Sequence, residues 1–309
     1  MPEPPVPDHA PAFEELRELR ARHPELIAAR AAARRRRPLL GKDGKLMIVA
    51  ADHPARGALG VRTAVAAMAN RYDLLARLLI ALGRPGVDGL LASADIIEDL
   101  LLLGALDGKV VIGSMNRGGL QGASFELDDR FTGYDTAMIE AMGLDGGKML
   151  ARIDLADPGT VATLEAAGRV VTELATKRKI AMIEPFLSTR ADGNGSGRVL
   201  NDLSARAVVK SVAIASGLGA TSAYTWLKLP VVDGMEEVMT ATTLPTLLLG
   251  GDPGDLPHDT YARWAAALAL PGVRGFVIGR ALLYPADGDV AAAVDAACAL
   301  VHPELLAAS

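Results

Sequence analysis

Leu46-Met47-Ile48-Val49-Ala50-Ala51-Asp52-His53-Pro54-Ala55-Arg56-Gly57 is the stretch that decides how this chain is read. Its six leading apolar residues show no polar alternation, which marks a strand covered on both faces, as in parallel sheets. Asp52-His53-Pro54 then stands where an open dinucleotide-binding sheet would carry G-x-G-x-x-G, and that fold is disfavoured. Seven more short apolar runs begin near Asp88, Lys109, Gly147, Lys179, Thr221, Pro245 and Arg274. Amphipathic stretches separate them: Tyr72 to Leu82, Ala94 to Leu106, Asp135 to Met142, Pro158 to Thr176, Ser204 to Ser216, Gly234 to Thr240 and His258 to Ala269. A last one runs from Val290 to Leu300. Eight strands alternating with eight helices, at about 33 residues per unit, predict an α/β fold of the closed (β/α)8 TIM-barrel type.

The first 44 residues read as an N-terminal helical extension and residues 45–309 as one barrel domain. Phe13, Leu16, Leu19, Leu26 and Ile27 recur at helical spacing within Phe13 to Arg37, and Pro38 ends the pattern. That apolar stripe is expected either to cap the barrel bottom or to meet a second copy, so a homo-oligomer stays open. Arg34-Arg35-Arg36-Arg37 reads as a solvated helix end favoured by the helix dipole. With 32 basic against 37 acidic residues, the charge of -5 argues against a nucleic-acid partner or a membrane held by charge. No apolar run approaches the ~18 residues of a spanning helix, and Met1 to Pro11 has no signal core; a cytoplasmic protein is expected. A single cysteine, Cys298, excludes an internal disulfide and a thiolate zinc site.

Barrel chemistry sits at the C-terminal ends of the strands. There the sequence offers Asp52 and His53, Ser114 and Arg117, Lys148, Glu184, Lys228, Gly250 with Gly251, and Gly279 with Arg280. The two lysines inside apolar strands are the most informative, because lysine is among the residues least often buried. An ammonium drawn into such a mouth loses its proton more easily, through desolvation and through repulsion from a second cation. The free amine can then attack a carbonyl and form a Schiff base. Asp52 and Glu184 are candidates to shuttle protons beside it, or to hold the lysines as ion partners. Small residues at the ends of the last two strands suit a phosphate, with Arg280 as a clamp. Ser188 to Arg198, rich in glycine, reads equally as a lid carrying Arg190 or as a plain connection. Of five histidines only His53 ends a strand, so no metal and no cofactor is expected.

Lysines on strands four and six, acids on strands one and five, and a glycine-rich end to strands seven and eight resemble class I, Schiff-base aldolases over about Leu46 to Leu283. The resemblance implies Lys228 as the Schiff-base lysine and Lys148 as its neighbour. It makes Asp52 and Glu184 the acids found in tagatose-bisphosphate-type members, and puts Gly251 and Arg280 in the phosphate segment. Glu184-Pro185-Phe186, Leu227-Lys228-Leu229-Pro230 and Gly275 to Leu283 are similar to the aldolase-like barrels of inositol catabolism, some of which occur in actinobacteria. That narrower likeness implies cleavage of 6-phospho-5-dehydro-2-deoxy-D-gluconate to dihydroxyacetone phosphate and malonate semialdehyde. Arg117 or Arg190 would then hold the substrate carboxylate. Trp226-Leu227-Lys228-Leu229-Pro230 departs from the deoxyribose-phosphate pattern, in which small hydroxyl residues follow the lysine. A tagatose-bisphosphate-type or deoxyribose-phosphate aldolase, and a non-catalytic barrel that binds a sugar phosphate, remain the alternatives.

Overall fold

Strands that are apolar on both faces need cover inside and out, and here they obtain it by closing on themselves. The structure, a computed structural model, describes residues 10–191, 197–251 and 259–304. Its strands are β1 (Leu46–Ala51), β2 (Gly89–Ala92), β3 (Val110–Ser114), β4 (Gly146–Ile153), β5 (Ile180–Arg190), β6 (Val199–Asn201), β7 (Thr225–Pro230), β8 (Thr246–Leu249) and β9 (Val273–Ile278). Parallel pairing runs β1-β2-β3-β4-β5-β7-β8-β9 and returns to β1, which closes an eight-stranded barrel. β6 is not a stave: it folds back antiparallel on the end of β5, pairing Ser188 with Asn201 and Arg190 with Val199. The glycine-rich connection is thus partly a hairpin, and its residues 192–196 lie outside the described residues.

The helices are α1 (Ala10–Arg22), α2 (Glu25–Ala33), α3 (Arg71–Gly83), α4 (Ala94–Leu102), α5 (Thr136–Ala141), α6 (Gly159–Thr176), α7 (Ala205–Ser216), α8 (Met235–Thr240), α9 (Thr260–Leu268), α10 (Arg280–Leu283) and α11 (Val290–Val301). Several begin on short polar side chains that accept the otherwise unpaired first amides. Asn70 accepts from Tyr72 and Asp73, Asp135 from Met138, and Asp289 from Ala292. None of the helices among the described residues is long and apolar enough to cross a membrane.

The N-terminal stripe does not cap the barrel bottom. Pro24 splits the expected single helix into α1 and α2, and the pair lies along the barrel flank. Phe13 stacks on Tyr72 of α3, and Arg20 reaches Asp99 (2.6 Å) and the Asp95 carbonyl of α4. The arginine run is not a solvated helix end either, since the helix stops at Ala33. Arg34 is buried and donates to the carbonyls of Lys109 (2.6 Å) and Gly143 (2.9 Å). Arg35 pairs with Asp107, Arg36 with the Gly143 carbonyl and Arg37 with Asp88. Loops entering the strands leave carbonyls without partners, and guanidinium groups satisfy them.

Two apolar shells result. The larger lies between strands and helices; the smaller fills the barrel with Leu46, Ile48, Ala50, Leu91, Ile112, Met182, Trp226 and Val277, with Leu39 and Leu40 packed against it. At the seam between first and last strands, Gly275 has φ +124° and a Cβ there would lie 1.9 Å from the Leu46 carbonyl. Only glycine tolerates that approach.

Candidate active site

Strand alternation carries the interior pattern upward into chemistry. One step beyond Ala50, Ile112, Gly146, Met182 and Trp226 come Asp52, Ser114, Lys148, Glu184 and Lys228, all on the inward face. The apolar layers below exclude water from beneath. These five side chains are each under 10% exposed.

They form a chain of alternating charge. Asp52 Oδ2 accepts from Lys148 Nζ at 2.9 Å and from Ser114 Oγ at 3.4 Å. Glu184 Oε2 lies 2.6 Å from Lys148 Nζ and 3.1 Å from Lys228 Nζ. The sequence-expected lysines and acids are therefore in direct contact, with Glu184 shared between the amines.

The two lysines differ because their neighbours differ. Burial disfavours the Lys148 ammonium, but Asp52 and Glu184 outweigh it and its pKa is raised. Burial dominates at Lys228, where Glu184 pulls upward against repulsion from Lys148, and the pKa is lowered. Lys148 is thus the held cation and Lys228 the amine that yields its proton. Burial alone would raise both acids. Lys148 and Lys228 instead hold Glu184 down at about 2 and Asp52 well below the usual carboxylate range.

His53 borders the chain, its Nδ1 3.8 Å from Asp52 Oδ1 and without a hydrogen-bond partner among the described residues. Burial, with Arg280 and both lysines, pushes its pKa down to about 4 despite Asp52, so the ring is neutral at pH 7. Arg280 follows Gly279, where a Cβ would meet the Ala50 carbonyl at 2.5 Å and the His53 ring at 2.9 Å. Gly250 closes on Ile278 in the same way, and Gly251 holds φ +75°. Asp252, Pro253 and Gly254 lie outside the described residues.

The two arginines expected to meet the substrate have protein partners. Arg117 donates to the carbonyls of Ser114 and Thr132. Arg190 donates to Asp157 (3.3 Å) and to the carbonyls of Ser124 and Gly197. Sequence reasoning passed over a buried ion-pair cluster above Lys148. Arg152 pairs with Glu126, and Arg56 with Asp129 (2.6 Å), both arginines also holding the Gly119 carbonyl. It also passed over Ser93, buried at the inward position after Gly89 and Leu91, which that alternation marks.

Fold and site together define a parallel (β/α)8 barrel of the α/β class with a lysine–carboxylate chain buried in its mouth. Residues 44–298 match the Cgl0159-like family, and the chain belongs to that family. A crystal structure of Cgl0159 from Corynebacterium glutamicum is similar over 97% of this chain and 100% of that one, with 58% identity and a TM-score of 0.93. Two more distant barrels show the same fold. An archaeal fructose-1,6-bisphosphate aldolase, with its catalytic lysine bound to the carbinolamine intermediate, has 16% identity and a TM-score of 0.62, covering 89% of this chain and 99% of that one. The fructose-bisphosphate aldolase of Slackia heliotrinireducens has 15% identity and a TM-score of 0.58, covering 84% and 86%. No curated protein matches the chain.

Proposed function

We propose that this protein is a class I aldolase that cleaves a phosphorylated keto-sugar acid through a Schiff base on Lys228. One observation carries the reading: a buried amine with a lowered pKa, 3.1 Å from a carboxylate that a second lysine, whose pKa is raised, also holds. Free Lys228 adds to the substrate ketone, and the carbinolamine loses water to give an iminium ion. Lys148 donates hydrogen bonds while remaining cationic. Glu184 accepts the β-hydroxyl proton as the carbon–carbon bond breaks, and the bond's electrons pass into the iminium as an enamine. As the iminium becomes a neutral enamine, one of the two cations that depress Glu184 is lost, so the carboxyl keeps the proton it has taken. Asp52 positions Lys148. The enamine is protonated, and water then releases the ketone product and regenerates Lys228.

The finer reading takes 6-phospho-5-dehydro-2-deoxy-D-gluconate as substrate and gives dihydroxyacetone phosphate and malonate semialdehyde, a step of myo-inositol catabolism. It rests on the sequence likeness of the Glu184, Lys228 and Gly275 segments. The phosphate would sit on Gly250, Gly251 and Gly279 with Arg280 beside it. The test is borohydride reduction in the presence of dihydroxyacetone phosphate, with peptide mass mapping. A reduced adduct on Lys228 is expected. An adduct on Lys148 would exchange the roles of the lysines. Saturable binding of the phosphate with no adduct would replace the aldolase by a non-catalytic sugar-phosphate barrel. Turnover of substrates with and without the 2-hydroxyl separates this substrate from a tagatose-type one.

A further inference from the structure

The opposite pole of the barrel holds a second concave site. A pocket of about 350 Å³ opens between the N-terminal ends of β4, β5 and β7, and Arg36, Arg37, Arg178 and Lys179 line it. Asp145 is its one carboxylate, and that group is already committed. Its Oδ2 accepts the Val111 amide at 2.8 Å and lies 3.6 Å from buried Arg34. Two of the cations are satisfied by neutral carbonyls: Arg36 by Gly143, and Lys179 by Leu144 at 2.6 Å. Such bonds fix the side chains without removing their charge, which Asp145 and Glu140 offset in part at Lys179, while Arg37 is paired with Asp88. Arg178 makes no ion pair or side-chain hydrogen bond among the described residues, and it is held exposed on a backbone with φ +55°. That conformation closes the C-terminal turn of α6, where the Arg178 amide donates to Ala175 and the Lys179 amide to Leu174. In a chain of net charge -5, this local excess of positive charge is a placement and not an average.

We infer that this pocket binds a small phosphorylated molecule carrying at least two negative charges, at a site separate from the barrel mouth. Guanidinium groups suit phosphate oxygens by bidentate hydrogen bonding, and Lys179 adds a point charge. Leu39, Ile180 and Tyr224 form the rest of the lining and offer an apolar and aromatic wall to the organic part. The inference is independent of the aldolase reading, because none of these residues belongs to the lysine–carboxylate chain.

Inorganic pyrophosphate is the probe, used on the full chain at low salt. Arginine modification by phenylglyoxal, mapped by peptide mass, reports which guanidinium groups it covers. Saturable slowing of labelling at Arg36 and Arg178 is expected, and Arg36→Gln/Arg178→Gln should weaken calorimetric binding about tenfold or more. Protection confined to Arg280, or no protection anywhere, overturns the inference. Unchanged affinity in the folded double variant does so too. Should that variant not fold, the labelling of the unsubstituted chain decides alone.

Discussion

Replacing Lys148 with methionine removes the one cation that touches both acids. Its Nζ lies 2.9 Å from Asp52 and 2.6 Å from Glu184, contacts that gross about 6 kcal/mol each at an effective dielectric of 20. Desolvation offsets most of that, and breaking a buried pair typically costs about 3–5 kcal/mol. The carboxylate gives a second route to the magnitude. Holding Glu184 at about 2 instead of 4.5 corresponds to about 3 kcal/mol, with Lys148 the larger contributor and Lys228 the second. Lys148→Met is therefore expected to lose about 3 kcal/mol at neutral pH, and the loss should depend on pH. In the parent protein both acids have lowered pKa values, so their contribution is complete above about pH 4.5 and is lost as pH falls through the folded values. In the variant one acid must take up a proton on folding, which penalises it increasingly as pH rises. Urea unfolding of both proteins between about pH 8 and pH 5 should show a gap that is widest at the alkaline end. Adding Asp52→Asn should restore part of the loss, because it removes the stranded charge. A gap below about 1 kcal/mol, or one flat across that range, would refute the alternating-charge chain as an energetic unit. Imine trapping gives a companion readout: without Lys148 repelling it, Lys228 keeps its proton longer, and trapping should require higher pH.

Other expectations concern parts of the fold distant from the lysines. His302 lies between Asp43 (2.5 Å) and Asp88 (2.8 Å), and although burial opposes the imidazolium, those acids raise its pKa. Its stabilisation is thus complete below the ordinary histidine value and fades as pH rises through the folded one. His302→Gln should cost about 1–3 kcal/mol near pH 6 and visibly less near pH 9, read as Tm differences. Gly275→Ala places a methyl against the Leu46 carbonyl at the barrel seam and should abolish soluble expression or lower Tm by more than about 10 °C. Burial pushes the Cys298 thiol up to about 12, so a thiol reagent at pH 8 should label it only as fast as the protein opens. Rapid labelling of the folded protein would contradict that burial.

The barrel was legible because parallel strands leave unbroken apolar runs, and each of the eight runs overlaps a stave. The lysines were legible for the converse reason: a charge within such a run has to face the interior or find a partner. Arg34 to Arg37 show where local reading fails. Four consecutive arginines look solvated until the loops at Lys109 and Gly143 are brought beside them, more than 70 residues away in sequence. Pro24 carried a visible signal that the helical spacing around it masked. Arg117 and Arg190 stood at strand ends, as substrate ligands do, and their protein partners, the nearby Ser114 carbonyl for Arg117 and the distant Asp157 and Ser124 for Arg190, were not legible there. β6 left no apolar run because it is a three-residue edge, partly exposed, and needs none.

The closure of β1 against β9 sets a timetable for the nascent chain. β9 begins 222 residues after β1 ends. At about 5–20 residues per second, a ribosome leaves the open side of β1 unpaired for about 10–45 s. Throughout that interval its backbone amides and carbonyls present a bare edge, the kind that recruits other strands. Partners for the arginine run, by contrast, emerge as soon as the loops before β3 and β4 are made. The molecule therefore assembles its first half while its seam waits, and chaperone dependence should concentrate on that wait.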